Sequence, residues 1–421
     1  MSTSTTAAST GSAQRLAEKR RRLSRPVAFA AIAAILVTFT AASAAPSPLY
    51  VVYQRQWGFS ATTLTVIFAV YVAGLIAALL VLGALSDHVG RRPVLGAAIA
   101  LEAVSLVLFL TAGDVALLLA ARLAQGIATG AALTTLSAAL VDLNPPRAPG
   151  RAGLISGIVP LAGLAVGALG CGALVQFAPS PTHLVYALLL GGMVLAALVV
   201  SRMPETVKRR PGGAASLVPR LGIPTGLRGD VLALVPIIVA SWALGGLYLS
   251  LGPSVAATVF GLSNHLIGGL VVTLLCGTGA ITAFALRSRP TPRVLAIAGA
   301  MLTVGATISI VGVQVDDVVL AAAGTLVSGV GFGASALASF GTLAALAAPD
   351  ERAELFTVAL VIAYVAFSVP AVIAGLATGA VGLHVTALVY GVVVAALSAT
   401  ALAAQRLRAR VHGQPRGQNS A

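Results

Sequence analysis

The chain has 421 residues, of which 58% are hydrophobic and only 9% are charged, and its formal net charge is +14. A soluble globular domain is about 45–50% apolar, so this composition excludes a water-soluble protein. Apolar stretches of about 20 residues recur from Pro26 to Ala404, and each is long enough to cross a hydrocarbon core of about 30 Å as a helix. We therefore predict an all-α integral membrane protein.

Twelve membrane spans are predicted in chain order. They lie near 27–50, 61–85, 94–113, 115–142, 152–177, 183–202, 231–257, 264–286, 293–313, 318–347, 355–379 and 383–404. The longest polar interruption falls after the sixth span, and its Pro, Gly and basic content indicates a linker. The predicted organisation is a tail (1–25), a six-helix bundle (26–202), a cytoplasmic linker (203–230), a second six-helix bundle (231–404) and a second tail (405–421).

Basic residues are concentrated on one side of this predicted topology. When the N-terminal tail is placed in the cytoplasm, all Lys and Arg except Arg55 and Arg122 fall in cytoplasmic tails, loops or the linker. This asymmetry follows the positive-inside rule, so it predicts a multi-pass plasma-membrane protein with both termini cytoplasmic and gives no support for nucleic-acid binding. The first apolar run exceeds the 7–15 residues of a signal peptide, so we expect it to remain as the first span.

A faint internal repeat relates the two halves. Segment 122–140 aligns with 325–343 when the sequence is shifted by 203 residues. The aligned pairs are Gly126 with Gly329, Gly130 with Gly333, and Arg122 with Thr325. Two related six-helix halves would place a substrate pathway at their interface, near the middle of the bilayer. Helices rich in Gly and Ala also resemble one another by composition, so the repeat alone leaves both interpretations open.

The segment GALSDHVGRRPVL (83–95) lies between the second and third spans, on the basic side. It resembles the G-x-L-[AS]-D-[RK]-x-G-R-[RK]-x-x-L motif of the major facilitator superfamily of transporters. The chain departs from the motif at His88, where Arg or Lys is usual. The matching residues are Gly83, Leu85, Ser86, Asp87, Gly90, Arg91, Arg92 and Leu95. The resemblance covers essentially the whole chain, is nearest to the twelve-span drug-efflux branch, and implies two pseudo-symmetric six-helix bundles.

The same resemblance implies a conformational latch that holds the two halves together at the cytoplasmic face in one state and releases them in another. Its members are Gly83, Asp87, Gly90, Arg91, Arg92 and Asp142. Gly90 permits a tight turn, and Asp87 can accept a hydrogen bond from Arg91 or cap a neighbouring helix N-terminus. We expect Asp142, at the end of the fourth span, to be a further partner of Arg91 or Arg92. The alternative is that the two arginines only anchor the topology.

Segment RLAQGIATGAA (122–132) resembles the R-x-x-Q-G-x-G-x-[AG] pattern of the family's fourth span, whose Arg is associated with proton coupling. An Arg in mid-span costs about 2.5–3.5 kcal/mol on insertion scales and usually faces a cavity or a partner. Glu102 lies at a similar depth in the third span, so the two side chains could pair. We assign Arg122, Gln125 and Glu102 to proton coupling or the substrate cavity. The alternative for Glu102 is a purely structural contact.

Glycines are expected to pack helices closely in the fourth and fifth spans. Segment 156–175 is similar to the antiporter motif G-x-x-x-G-P-x-x-G-G, but Ala168 replaces its Pro, so the direction of transport stays open. We assign helix packing to Gly126, Gly130, Gly163 and Gly167.

The predicted function is secondary active transport. The sequence contains no phosphate-binding loop and no hydrolase or metalloprotease motif, and Cys171 and Cys276 lie in apolar runs, so we expect no enzyme, no cofactor and no metal. We predict proton-driven efflux of small hydrophobic or amphiphilic compounds by a monomer in the lipid bilayer. One alternative is a proton symporter or facilitator that takes up a neutral or anionic metabolite. An alternative of another class is a membrane receptor or scaffold that does not transport.

Overall fold

The computed structural model describes residues 22–148, 150–219, 222–262, 264–346 and 352–413, so most of the predicted N-terminal tail and the end of the C-terminal tail lie outside the described residues. The described chain is almost entirely helical. Its α-helices are α1 (Arg25–Ala44), α2 (Pro46–Trp57), α3 (Ala61–Leu82), α4 (Leu85–Val89), α5 (Arg91–Thr111), α6 (Val115–Leu143), α7 (Arg151–Phe177), α8 (Pro181–Arg202), α9 (Arg228–Ser250), α10 (Gly252–Thr258), α11 (His265–Ala285), α12 (Thr291–Gln314), α13 (Val318–Leu346) and α14 (Arg352–Gly413).

Eleven helical segments of the described chain are long and apolar enough to cross a membrane. The last of them, α14, has 62 residues and is interrupted at Gly382, whose φ of 77° and ψ of 164° lie outside the helical region. Glycine adopts a positive φ without the steric cost that a Cβ would add. Because the break falls between the predicted spans 355–379 and 383–404, α14 supplies two spans, and the twelve predicted spans are confirmed.

The first span of each half is interrupted at a proline near one end, although the residues at the two junctions, Ala45 and Leu251, keep right-handed helical dihedral angles. Helix α1 ends at Ala44, and α2 begins at Pro46. In the second half, α9 ends at Ser250 and α10 carries Pro253 in its first turn. Proline has no backbone N–H to continue a helical ladder, so each break follows from the local sequence. The shared break supports the relation between the two halves.

Successive spans run in opposite directions, so α4, the linker and the two ends of the described chain lie on one side, which we call the terminal face. The other side is called the opposite face. Among the described residues, four hydrogen bonds join the halves. Three lie toward the opposite face, and the fourth, from Thr273 to Ala165, lies near the middle of the two helices that it joins. They are Ser254 Oγ to Gln54 Oε1 at 3.3 Å, the His265 N–H to Gln176 Oε1 at 2.9 Å, Thr62 Oγ1 to the Gly375 carbonyl at 2.8 Å, and Thr273 Oγ1 to the Ala165 carbonyl at 3.0 Å. The halves are therefore closed against each other at the opposite face.

The repeated glycines make the same contact in both halves. Gly126 of α6 lies against the backbone carbonyl of Tyr71 in α3, and Gly329 of α13 lies against that of Leu275 in α11. A Cβ at either position would collide with the neighbouring backbone, so both glycines permit close helix packing. The other predicted packing glycines also face neighbouring helices: Gly130 faces Leu75, Gly163 faces Thr40, and Gly167 faces Ala41.

Candidate functional site

Arg122 lies at the centre of a fully buried polar cluster in the N-terminal half, where only 1% of its surface is exposed. Its Nε donates to the Tyr50 hydroxyl at 2.6 Å. Its Nη1 donates to the Ser43 carbonyl at 3.0 Å and to Gln125 Oε1 at 2.6 Å. A guanidinium is a donor without acceptor capacity, and here its acceptors come from α1, α2 and its own helix α6. The protein thereby replaces the water that this charge would otherwise need.

Gln125 joins Arg122 to Glu102. Its Nε2 donates to Glu102 Oε1 at 3.1 Å and to the Ala42 carbonyl at 3.2 Å. Among the described residues no ion pair connects Arg122 with Glu102 directly, so the pairing considered in the sequence analysis is replaced by a bridge. An amide can form this bridge because it offers an acceptor on one side and two donors on the other. The three predicted residues are therefore brought together, with Gln125 in the middle.

One oxygen of Glu102 is left over. The residue is fully buried, and its Oε2 has no hydrogen-bond partner among the described residues. Buried polar atoms are nearly always hydrogen-bonded, so an exception calls for a chemical explanation. A proton on Oε2 would make the carboxyl neutral, and the carboxyl would then carry its own O–H.

Aromatic rings enclose the Arg122 guanidinium. Its Cζ lies 5.3 Å from the ring centre of Tyr50, 5.2 Å from that of Tyr71 and 5.8 Å from that of Phe109. Cations are stabilised over aromatic faces within about 6 Å. Phe109 in turn stacks on Tyr186 with 4.7 Å between the ring centres. The sequence singles out Tyr71 as a mid-span candidate for lining a pathway, but not Tyr50, Phe109 or Tyr186, because these three come from different spans and share no local spacing.

The C-terminal half holds an uncharged version of this cluster. The Tyr248 hydroxyl lies 2.9 Å from Thr325 Oγ1 and 3.4 Å from Ser309 Oγ. Thr325 is the residue that the 203-residue shift aligns with Arg122. The same shift aligns Gln125 with Ser328 and Glu102 with Gly305, and Gly305 packs directly against Ser328.

A second cluster lies at the terminal face around Arg91, of which 6% is exposed. Its Nη1 contacts Asp87 Oδ1 at 2.5 Å and donates to Ser86 Oγ at 2.6 Å, and its Nε donates to Asp142 Oδ2 at 3.0 Å. Asp142 is thus a partner of Arg91, one of the two arginines considered. Arg92 is not bound to Asp142, and donates instead to the carbonyls at the end of α8, those of Val200 and Ser201.

Glu205 of the linker is a member of this cluster that sequence reasoning did not assign. Its carboxylate accepts hydrogen bonds from the backbone N–H groups of Arg91 at 2.9 Å and Arg92 at 3.0 Å. These residues begin α5, and a helix N-terminus favours negative charge. Gly90 adopts a φ of 111°, and a Cβ there would lie 2.9 Å from Glu205 Oε2, so glycine is needed for both the turn and the approach of the carboxylate.

The terminal cluster belongs to one half of the molecule in this conformation. It joins α4, α5, α6 and the start of the linker, where Thr206 Oγ1 donates to Asp142 Oδ2 at 2.7 Å. Gly83 lies between α3 and α4, against the Leu79 carbonyl. Across the described residues, no hydrogen bond or ion pair connects these side chains to the C-terminal half. The latch between the halves therefore stays a prediction.

Within the described part of the chain, no group of three or more His, Cys, Asp or Glu residues is placed to hold a metal ion. Cys171 and Cys276 are both buried and unpaired.

The family model of the Major Facilitator Superfamily matches residues 27–369. Among solved structures, a bacterial homologue of the human lysosomal transporter Spinster is similar in its inward-facing, unoccupied conformation, with a TM-score of 0.73, 14% identity and coverage of 91% of this chain and 97% of that one. The inward-facing, occupied form gives a TM-score of 0.69, 15% identity and coverage of 92% and 97%. The human organic anion transporter MFSD10 (TETRAN) gives a TM-score of 0.64, 18% identity and coverage of 90% and 100%. No curated protein matches the sequence of this chain.

Proposed function

The chain belongs to the Major Facilitator Superfamily, and from this premise we propose that it exports small hydrophobic or amphiphilic compounds in exchange for protons. The superfamily consists of membrane transporters for small molecules. The finer statement, proton-coupled efflux by alternating access, is our proposal. We further propose that the protein is a plasma-membrane monomer without a cofactor, and that its terminal face is cytoplasmic because the Lys and Arg residues of the loops are concentrated there.

The observation that carries the proposal is the buried bridge from Arg122 through Gln125 to Glu102. An ionisable residue inside a membrane span is costly, and it usually marks an ion pathway or a proton relay. This cluster holds a carboxylate with one unbonded oxygen and a fixed cation that lies one amide away. A proton on Glu102 would change the charge of the cluster by one unit, which is the kind of event that can bias a two-state transporter.

The closure of the two halves at the opposite face supports the second part of the proposal, which is transport by alternating access. In this state a substrate would reach the seam between the halves from the terminal face. Release on the other side would require the hydrogen bonds of the opposite face, such as that from the His265 N–H to Gln176 Oε1, to break. The terminal cluster around Arg91 would stabilise the alternative state, in which the terminal face is closed.

Proton coupling is tested by reconstituting the protein in liposomes that contain a pH-sensitive dye. We expect an imposed pH gradient to drive movement of a substrate chosen from a panel of neutral, anionic and cationic aromatic compounds, with stoichiometric proton flux in the opposite direction. Glu102→Gln keeps the size of the side chain but removes the titratable carboxyl group, so it should abolish this proton flux while substrate exchange without a gradient continues. Thr135→Ala is the control, because Thr135 is buried in α6 and bonds its own helix at the Ala131 carbonyl.

Three other outcomes of the liposome experiment would contradict parts of the proposal. Unchanged proton flux in Glu102→Gln would exclude Glu102 as the coupling group. Movement of substrate and protons in the same direction would replace antiport by symport. If no compound moves under any gradient, the receptor or scaffold interpretation gains support.

A further inference from the structure

Four aromatic side chains meet at the seam between the two halves. The ring centres of Trp242 and Tyr364 lie 4.9 Å apart, and those of Trp242 and Phe367 lie 5.8 Å apart, both edge to face. Phe367 contacts Phe68 of the N-terminal half with 5.0 Å between ring centres. We call Phe68, Trp242, Tyr364 and Phe367 the aromatic cluster. It is composed of α3 from one half and α9 and α14 from the other.

The aromatic cluster lies near the middle of the bilayer. Phe68 is the eighth residue of α3, so at 1.5 Å per residue it lies about 10 Å from the opposite-face end of that helix. The hydrogen bond between Thr62 and the Gly375 carbonyl closes the seam nearer to the opposite face. A ligand at the aromatic cluster would therefore be covered on that side, as alternating access requires.

Two hydrogen-bond donors of the cluster are unused. Among the described residues, neither the Trp242 indole N–H nor the Tyr364 hydroxyl has a hydrogen-bond partner, and neither polar atom is completely buried. Tyrosine and tryptophan in apolar surroundings usually bond their polar atom. The other tyrosines of this half do so: the Tyr248 hydroxyl contacts Thr325, and that of Tyr390 donates to the Ala243 carbonyl at 2.7 Å. The two unused donors are accessible in the interior of the protein.

Charge selects the class of ligand. The buried charged residues of the described chain are Arg91, Glu102 and Arg122, and all three belong to the N-terminal half. Arg122 already donates to three acceptors and is enclosed by rings, and only 1% of its surface is exposed, so a ligand at the aromatic cluster does not reach its guanidinium. No charged side chain of the described C-terminal half is buried. An anion would lose its water at the aromatic cluster without gaining a counter-charge. A cation would be attracted by the aromatic faces, but it offers no acceptor and would leave both unused donors unpaired.

We propose that the aromatic cluster is a substrate-binding site for neutral, planar aromatic compounds that carry a hydrogen-bond acceptor. The ligand ring packs against Trp242, Tyr364 and Phe68, and its acceptor receives the indole N–H and the phenol O–H. The inference rests on the proposed transport function, for which it names the substrate class. Tyr71 connects the aromatic cluster with the buried cluster around Arg122. It follows Phe68 by three residues on α3 and so shares its face, and the centre of its ring lies 5.2 Å from Arg122 Cζ.

The chain offers a direct optical test because it contains two tryptophans, Trp57 and Trp242. Trp57 stacks on Tyr53 near the opposite face with 4.7 Å between ring centres, and Trp57→Phe keeps an aromatic ring there. In this variant Trp242 is the sole tryptophan. We expect coumarin, a neutral planar lactone, to change its fluorescence saturably. Benzoate, which is an anion, should not do so at the same concentrations.

The hydrogen bond from the Tyr364 hydroxyl to the acceptor of the ligand is tested by Tyr364→Phe in the Trp57→Phe background. A net hydrogen bond contributes about 0.5–1.5 kcal/mol, so the dissociation constant of coumarin should rise about two- to tenfold. Naphthalene has no acceptor, and its affinity should not change. Tyr248→Phe is the matched control, because the hydroxyl of Tyr248 is already bonded within the protein.

The proposal is overturned if coumarin produces no saturable change at Trp242, or if Tyr364→Phe and Tyr248→Phe alter its affinity equally. Should the Trp57 variant fail to fold, equilibrium binding of radiolabelled coumarin to the unaltered protein and to Trp242→Phe answers the same question, with loss of binding expected in the variant. Transport is measured separately in liposomes. If a transported compound does not compete with coumarin, the proposed binding site is wrong but the transport function stands. If coumarin binds but no compound is transported, the transport function is wrong but the binding site stands.

Discussion

The two halves of the molecule have the same helical framework but different chemistry in its centre. In the N-terminal half, Arg122 bonds Gln125, and Gln125 bonds Glu102. The corresponding positions of the C-terminal half hold Thr325, Ser328 and Gly305, so the same three sites contain two hydroxyls and a glycine. The close contacts that bring the helices together are retained, since Gly126 and Gly329 both meet the backbone of a neighbouring helix.

This difference shows that the buried charges are not needed to build a half. An uncharged set of small residues allows the C-terminal helices to pack in the same arrangement. A charged residue in mid-span costs free energy, and replacing a buried ion pair by apolar residues is often neutral or stabilising. The charges of the N-terminal half are therefore best explained by function. The aromatic cluster, which is mostly in the C-terminal half, offers the complementary apolar surface.

The largest effect is expected when one residue of the buried cluster in the N-terminal half is replaced by the residue at the corresponding position of the C-terminal half. Arg122→Thr would leave the acceptors on Tyr50, Gln125 and the Ser43 carbonyl without their cation. Removing one partner of a buried ionic network typically costs about 3–5 kcal/mol. We expect a loss of this order in the free energy of unfolding, measured by denaturant titration in mixed micelles, together with loss of pH-driven transport in liposomes.

The double variant Glu102→Gln with Arg122→Thr is the control for that experiment. It removes both charges, as in the C-terminal half, and should recover part of the stability that Arg122→Thr loses, without recovering proton coupling. The free energy of unfolding of Glu102→Gln alone gives the cost of that change in the presence of Arg122. If the same change costs as much again in the Arg122→Thr background, the two charges are independent and the comparison between the halves fails.

Much of the fold could be predicted from the sequence. Twelve apolar runs, the central linker and the 203-residue repeat follow from hydropathy and spacing, because a bilayer imposes a fixed length on each span. The breaks at Ala45 and Leu251 were missed, although Pro46 and Pro253 mark them. A proline near a span end is compatible with both a continuous and a broken helix, and only packing decides between them.

The site was predictable in part. Arg122, Gln125 and Glu102 were found because charged and amide side chains are rare in apolar spans. Tyr50 and Phe109 were missed because aromatic residues are common in spans, and nothing local indicates that these two rings face the same guanidinium. Glu205 was missed for a related reason: a carboxylate in a polar linker looks solvated until the fold brings it to the first residues of α5.

The terminal face gives a second comparison between the halves. The turn between α3 and α5 holds Asp87 beside Arg91, whereas the matching turn of the C-terminal half, 285–299, has arginines and no acidic residue. There the Arg287 Nη1 donates to the Phe284 carbonyl at 2.6 Å. The Asp87 side chain is 56% exposed, so its ion pair contributes only about 0–1 kcal/mol to stability.

We therefore expect Asp87→Asn to leave expression and the free energy of unfolding almost unchanged while slowing transport at least about tenfold, which corresponds to about 1.4 kcal/mol in the activation free energy of the conformational change. Initial rates in liposomes and denaturant titration measure the two quantities. Arg287→Gln is the matched change in the other half and should affect neither. Normal transport by Asp87→Asn would mean that the terminal cluster only sets topology.

The smallest expected effect compares two tyrosines whose hydroxyls serve equivalent clusters. The Tyr50 hydroxyl accepts a hydrogen bond from the charged Arg122 at 2.6 Å, whereas the Tyr248 hydroxyl shares a neutral one with Thr325 at 2.9 Å. Hydrogen bonds to charged groups contribute about 1.5–3 kcal/mol and neutral ones about 0.5–1.5 kcal/mol. Tyr248→Phe should thus lower the free energy of unfolding by about 1 kcal/mol and preserve proton coupling, and Tyr50→Phe should cost about twice as much and weaken coupling. Equal costs would show that Arg122 gains nothing from its charge at this contact, because the chemical change is identical in the two variants and only the partner differs.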